Sequence, residues 1–261
     1  MLARKAISPK FAEWNDRWGA PFGRSGRLVN AAGRFSHRLF TQLRGPFGIQ
    51  PNNDTRRFEY PWCYFAADLR PGMRVLEIGG GMSGFQFVLS REGVIVENVD
   101  PGFGAAGKGW ECDKRSIDYC NRIFRTNVVL HNCTIKEAAL ESEQYDRVFS
   151  ISAIEHFSPS EITETIEAAA KCLRRDGLFI LTTDLFLDVC PFANQESNKY
   201  GRNIDLCQAL SGSGLKLAQG DESELCGFAS FDPQRVLCKI SELLLGGGYP
   251  ALVQTVVLRK E

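Results

Sequence analysis

The sequence predicts an α/β protein: three layers, with a mostly parallel sheet covered by helices on both faces. Three observations predict it. From Pro71 onward, strand-like and helix-like segments alternate regularly. The strand segments are near-continuous apolar runs, as expected of strands buried on both faces, rather than the in-out alternation of a half-exposed sheet. A glycine-rich turn joins the first of these strands to the helix pattern that follows, and such turns mark the ligand-binding end of open parallel sheets. A chain of 261 residues with 44% hydrophobic content can bury one substantial core.

The elements follow in order. Composition changes near Pro71-Gly72, which divides the chain into a basic, aromatic-containing N-terminal segment at 1–70, read as a cap or substrate lid, and a main domain at 71–261. Between Gly26 and Leu43 the residues Leu28, Ala31, Ala32, Phe35, Leu39, Phe40 and Leu43 recur at helix spacing, which predicts helical structure docking one face on the main domain. MRVLEI is the first strand; FQFVLSREG is a helix; VIVENV is a strand followed by a Gly-rich loop. A helix near Asp113 to Phe124, then VVLHNC and YDRVFSIS, continue the alternation, and LFILTTD follows another helix. That last helix has a legible start: Ser158 caps, Pro159 takes the first helical position and Glu161 completes a capping box. Gly177 is the expected stop. ALVQTVVLRKE, after a GGGYP turn, is a terminal strand.

Charge and cysteine usage narrow the function classes. Net charge is zero, yet residues 1 to 57 carry 11 Lys/Arg against 3 Asp/Glu. Such a basic arm suits phosphates, an acidic carrier protein, nucleic acid, or the acidic remainder of the same chain. The nine cysteines form no C-x-x-C pair and are odd in number, which reads as reduced thiols in a cytoplasmic protein rather than a disulfide framework or zinc site. No apolar run reaches the length of a membrane span. The basic start MLARKAISPK is followed by Glu13 and Asp16, which argues against a targeting leader.

The chemistry concentrates in VLEIGGGMSGF, Val75 to Phe85. Gly79, Gly81 and Gly84 satisfy G-x-G-x-x-G, and with Gly80 they let backbone approach a ligand closely. Glu77 tells against a dinucleotide, because a carboxylate two residues before the first glycine repels a pyrophosphate and attracts an ammonium group. Asp100, at the tip of the second strand, stands where a carboxylate accepts ribose hydroxyls. An ammonium end and a ribose without phosphate together describe S-adenosylmethionine.

On these residues the chain resembles the class I S-adenosylmethionine-dependent methyltransferases, whose first motif usually reads D/E-x-G-x-G-x-G. YDRVFSISAIEHF (Tyr145 to Phe157) is similar to the family's fourth-strand segment, and CLRRDGLFILTT (Cys172 to Thr183) to its L-R-P-G-G-x-L segment. The resemblance runs from about Met73 to Leu181 and implies a Rossmann-like, seven-stranded sheet with an antiparallel last strand. It implies that Glu77 orients the loop or the methionine ammonium, that Gly79, Gly80 and Gly81 admit the cofactor, and that Asp100 holds the ribose. Thr134 aligns with an adenine contact, although Asn132 to Ile135 departs from the family's G-D-A pattern, and Ser150 is expected under the cofactor. Glu155 and His156 fall beside the reacting methyl, where His156, with an ordinary imidazole pKa near 6.5, could remove a proton from the acceptor; packing beneath the following helix is the competing role. Ser152 stands where metal-binding relatives place an acid, so no metal is expected.

Tyr60 and Trp62 are candidate lid residues, with core packing the equal alternative, and Tyr200, Arg202 and Asn203 are candidate acceptor contacts. The reaction implied is methyl transfer to an oxygen or nitrogen of a small biosynthetic molecule, a sugar or secondary metabolite, by an enzyme that could form a homodimer. Two alternatives remain. A nucleic-acid or carrier-bound substrate would suit the basic arm, but the fourth-strand segment SAIEHF lacks the N/D/S-P-P-Y/F signature of base-amino methylation. A non-catalytic cofactor-binding scaffold would also keep the glycine loop.

Overall fold

The computed structural model describes residues 1–102 and 111–261. Seven strands form one sheet in the order β3-β2-β1-β4-β5-β7-β6. They are β1 (Arg74–Ile78), β2 (Ile95–Val99), β3 (Val129–His131), β4 (Tyr145–Ile151), β5 (Leu173–Phe186), β6 (Leu215–Gln219) and β7 (Ala251–Lys260). The pairs from β3 through β5 are parallel, and β7 runs antiparallel to both β5 and β6. This is the mostly parallel sheet with an antiparallel last strand that the sequence predicts. Chain order reverses beside β1, so the ends of β1, β2 and β4 flank the crevice where such sheets bind ligands.

Each sheet face has its own core. On one, Val75, Phe85, Phe87, Val96 and Phe149 pack with residues of the N-terminal segment, including Trp14, Phe47, Tyr60 and Trp62. On the other, Leu76, Val148 and Phe179 pack beneath α7 (Pro159–Cys172) through Ile162 and Ile166. Between them along the chain lie α5 (Gly84–Arg91) and α6 (Lys114–Phe124). Asp113 caps α6 through the Ser116 N–H, and the full capping box at Ser158 and Glu161 is present. Gly84 opens α5 against Phe47: a Cβ there would stand 2.8 Å from the Phe47 backbone nitrogen. Backbone cannot swing aside as a side chain can, so Gly84→Ala is expected to cost about 1–3 kcal/mol in urea unfolding through overpacking.

Residues 1–70 hold helices that the sequence pattern understates: α1 (Pro9–Trp18), α2 (Arg27–Phe35), α3 (His37–Arg44) and α4 (Arg56–Ala66). Pro61 hides α4, since an interior proline removes an N–H that would bond the carbonyl four residues earlier. That carbonyl belongs to Arg57, and the Asn15 side chain bonds it instead at 2.8 Å, fastening α1 to α4. At the chain start, Ala3 N–H donates to the Val253 carbonyl and Thr255 N–H to that of Met1, so residues 1–3 line the part of β7 beyond β6.

Two expectations are corrected, and a third falls outside the described residues. The 26–43 region is two helices broken at Ser36, and only Val29 and Ala32 are buried; Leu28 and Phe35 face solvent at 82% and 86% exposure instead of docking on the domain. Gly177 does not stop α7, which ends at Cys172; β5 begins at once, and its register against β4 shifts between Tyr145 and Arg147 to accommodate Asp176 at φ 61°. The Gly-rich loop expected after β2 lies mainly at 103–110, outside the described residues.

Candidate functional site

The ends of β1, β2 and β4 open into a cavity of about 370 Å³, within the range of small-molecule sites. Glu77, Gly79, Gly80, Gly81, Asp100, Thr134, His156 and Tyr60 all line it. The glycine turn is held rigidly. Gly79 N–H donates to the Val99 carbonyl at 2.9 Å, linking the turn to β2. Gly79 has φ +70°, and a Cβ on it would stand 2.6 Å from the Ala153 Cβ; glycine is required there both for conformation and for space.

Beneath the turn lies an amide pair that sequence reading missed. Asn98 donates to the Gly81 carbonyl at 3.0 Å and to the Gln86 side-chain oxygen at 3.1 Å, while Gln86 donates to the carbonyls of Gly81 and Ser83. Both amides are fully buried. The available signal was a lone amide inside each of two apolar runs, VIVENV and FQFV, where a polar group survives only if it is bonded.

Glu77 is 1% exposed, and its Oε2 is a buried oxygen with no hydrogen-bond partner among the described residues. Burial pushes its pKa up to about 8; the neighbouring Asp100 adds to the rise, whereas Ser83 and Arg56 oppose it. Gly80 keeps this carboxyl accessible, since a Cβ there would come within 2.7 Å of the Glu77 Cδ. A buried acceptor without a donor beside a glycine cradle fits a ligand that brings an ammonium group.

Asp100 accepts from Gly81 N–H at 2.8 Å through one oxygen and from Gly102 N–H at 2.7 Å through the other. Each carboxylate oxygen accepts more than one bond, so the same group that fixes the loop can still receive ribose hydroxyls. Thr134 reaches the cavity, but its hydroxyl donates to Glu137 at 2.8 Å in a local turn. Ser150 does not line the cavity: it is fully buried within β4, and Ile151 and Ser152, at the end of the strand, take the place expected for it.

A second wall comes from outside the glycine turn. Gln50 ties the N-terminal segment to the glycine loop by accepting from Met82 N–H at 3.0 Å, and Asn52, Asn53 and Arg56 follow it around the cavity. Tyr60 presents an edge to the cavity while its ring packs on Phe47 and Phe85; its hydroxyl donates to Asn52 at 2.9 Å, and burial raises its pKa to about 12. Trp62 belongs to the core and does not line the cavity.

His156 lines the cavity, with Nδ1 bonded to the Tyr200 carbonyl. A carbonyl only accepts, so Nδ1 carries the proton of that bond. Glu155 is not in the cavity. It is fully buried, accepts from Asp184 N–H at 2.8 Å, and burial together with repulsion from Asp184 holds its pKa well above the ordinary range, so its role is structural. Tyr200 and Asn203 also work structurally, the Tyr200 ring packing at a tilt against Tyr249 and Asn203 bonding Phe186 on both main-chain groups.

Tyr249 was not singled out by sequence reading, because it lies in a Gly-rich turn just before the last strand. It lines the cavity and donates to Asp184 at 2.6 Å. Asp184 is nearly fully buried, and burial followed by repulsion from Glu59 raises its pKa to about 6. Among the described residues no three His, Cys, Asp or Glu side chains converge to hold a metal ion.

A methyltransferase-domain family model matches residues 57–219. No curated protein matches in sequence. Among solved structures, YcgJ from Bacillus subtilis is similar at 16% identity and TM-score 0.50, covering 78% of this chain and 98% of its own. A protein from Galdieria sulphuraria, provisionally described as a sarcosine dimethylglycine methyltransferase, shares 15% identity at TM-score 0.51 over 97% of this chain and 99% of its own. SpnF, described as a [4+2]-cyclase, shares 12% identity at TM-score 0.56 over 89% and 94%. These likenesses extend the fold across different chemistries, so the chemistry must be argued from the site.

Proposed function

The chain belongs to the S-adenosylmethionine-dependent methyltransferase family, whose model matches more than half of it, and on that premise we propose that it methylates an oxygen or nitrogen atom of a small-molecule acceptor. The observation that carries this reading is the pairing, in one cavity of about 370 Å³, of a partnerless Glu77 oxygen at the glycine turn with a second polar wall from residues 50–56, His156 and Tyr249. One wall suits the cofactor and the other an acceptor of limited size.

The residues fit the cofactor on chemical grounds: Glu77 would take its ammonium, Asp100 its ribose, and the Gly79–Gly81 backbone would lie against it. The cofactor supplies a methyl already activated on a sulfonium. What the protein must add is alignment, exclusion of water and, for a hydroxyl acceptor, a place for the proton. The 50–60 segment closes the cavity over the glycine loop through Gln50 and Tyr60. Two groups can receive the proton. His156, which lines the cavity, is the candidate base named from the sequence. The Tyr249 hydroxyl can accept from the acceptor while donating its own hydrogen to Asp184.

The test is transfer of labelled methyl from S-adenosylmethionine to a panel of small hydroxyl and amine compounds, with product identified by mass spectrometry. His156→Ala is expected to lower kcat by about 100-fold or more, the usual worth of a positioned base, with cofactor affinity unchanged. If His156→Ala retains full turnover and Tyr249→Phe loses it, the proton goes to the tyrosine-aspartate pair. Methylation of RNA but of no compound in the panel would replace the small-molecule reading.

A further inference from the structure

From Arg17 to Asn53 the chain contains six arginines and no acidic residue. Within this stretch α2 and α3 form a helical hairpin whose inner face is settled: Val29 and Ala32 are buried, and Gly33 lies against the Phe40 ring. The outer face is apolar. Leu28, Ala31 and Phe35 recur at i, i+3 and i+7 along α2, so they form one stripe, with Leu28 82% and Phe35 86% exposed; Leu39 and Leu43 continue it on α3 at 44% and 38%. Arg27 and Arg34, also seven residues apart, run beside the stripe, and Arg38 is the second residue of α3.

These arginines are not spent on the protein's own acids. Of the six, only Arg17 makes an ion pair among the described residues, with Glu92 at 3.5 Å; Arg24 and Arg44 donate to backbone carbonyls. Arg27, Arg34 and Arg38 therefore pair with no acid among the described residues, unlike Arg4, Arg17 and Arg56 elsewhere in the basic arm.

We propose that the α2–α3 face is a docking surface for an anionic lipid bilayer, with the Leu28–Phe35 stripe entering the headgroup and acyl boundary and the arginines contacting lipid phosphates. Only this occupant answers both halves of the surface. A nucleic acid would match the arginines and leave the apolar stripe in water. A second copy of the chain would cover the stripe and bring six arginines against six. An amphipathic helix with large apolar residues on one side and arginines along its border is the arrangement that lies in the plane of an anionic membrane. No helix among the described residues is long and apolar enough to cross a membrane, so attachment would be peripheral. The segment leaving α3 reaches the cavity at Gln50, six residues beyond Arg44, which places the docking face beside the site.

The test is co-sedimentation of the full chain with vesicles of equimolar phosphatidylglycerol and phosphatidylcholine, against phosphatidylcholine alone. Binding is expected to the anionic vesicles and to fall as salt is raised. Because the altered side chains are exposed, L28S/F35S and R27Q/R34Q/R38Q should keep the parent's thermal midpoint. The first is expected to weaken binding about tenfold or more through lost apolar burial, and the second about 100-fold, at roughly fivefold per arginine. Absence of binding to anionic vesicles at low salt overturns the proposal. So does vesicle binding that L28S/F35S leaves intact while single-stranded RNA competes it away, which would make this a nucleic-acid face. A dimer in light scattering that L28S/F35S dissociates, without vesicle binding, would make it a self-association face.

Discussion

Glu77→Gln is expected to weaken binding of S-adenosylmethionine and S-adenosylhomocysteine by roughly 10- to 100-fold, the loss of a hydrogen bond between buried charged groups. The same change is expected to stabilise the cofactor-free protein at pH 8. Glu77 is raised from 4.5 to about 8 in the folded chain, so the folded state favours the neutral acid. Below the ordinary glutamate value both states are protonated and the fold bears no penalty. Above it the unfolded chain ionises first, and the stability supplied by the neutral acid is lost as pH rises toward 8. A neutral amide avoids that loss, so thermal unfolding of Glu77→Gln without ligand should shift upward at pH 8 and little at pH 4. Binding carries the opposite sign. A cofactor ammonium requires the carboxylate, so parent affinity should rise as pH climbs from 6 to 8, with proton release detectable in buffers of different ionisation enthalpy. A pH-independent affinity, or an unchanged one in Glu77→Gln, would remove Glu77 from the cofactor site.

Arg56→Ala is expected to destabilise the fold by about 3–5 kcal/mol, the cost of breaking a buried pair from one side. Arg56 pairs with Glu59, which is fully buried and also accepts from Ser152 at 2.7 Å and Thr182 at 2.8 Å. Asp184 and Glu155 lie in the same buried network, and Arg56 is the cation whose charge lowers both of their pKa values. Without it Glu59 has no counter-charge. Arg56→Ala/Glu59→Gln, which removes both charges, should recover a large part of the loss in urea denaturation. A loss below about 1 kcal/mol in the single variant would show the pair to be solvated, as exposed pairs are.

The sheet was legible because buried parallel strands write themselves as apolar runs. Glycines with a carboxylate just upstream identify the first turn for the same kind of reason, since both features answer to a steric and an electrostatic demand at one place. Of the second wall of the cavity only Tyr60 was legible, as a candidate lid residue. Arg56 and Tyr60 sit on a helix masked by Pro61, whose freed carbonyl is satisfied by Asn15, 42 residues earlier in the chain. Tyr249 reaches the site only because β7 returns antiparallel beside β5 and sets it next to Asp184. Ser150 lies inside β4 and Ser152 just beyond its end at Ile151, so whether a residue ends inside the sheet or at the cavity depends on where β4 stops. The helix pattern at 26–43 was real, but periodicity reports an apolar face and not what covers it.

Isothermal titration of the purified protein with S-adenosylhomocysteine, with NADH and NADPH as controls, tests the central claim most directly. Micromolar binding of the nucleoside alone, weakened in Glu77→Gln, is the expected result. Binding of a nicotinamide dinucleotide instead, or of none of the three, would contradict it.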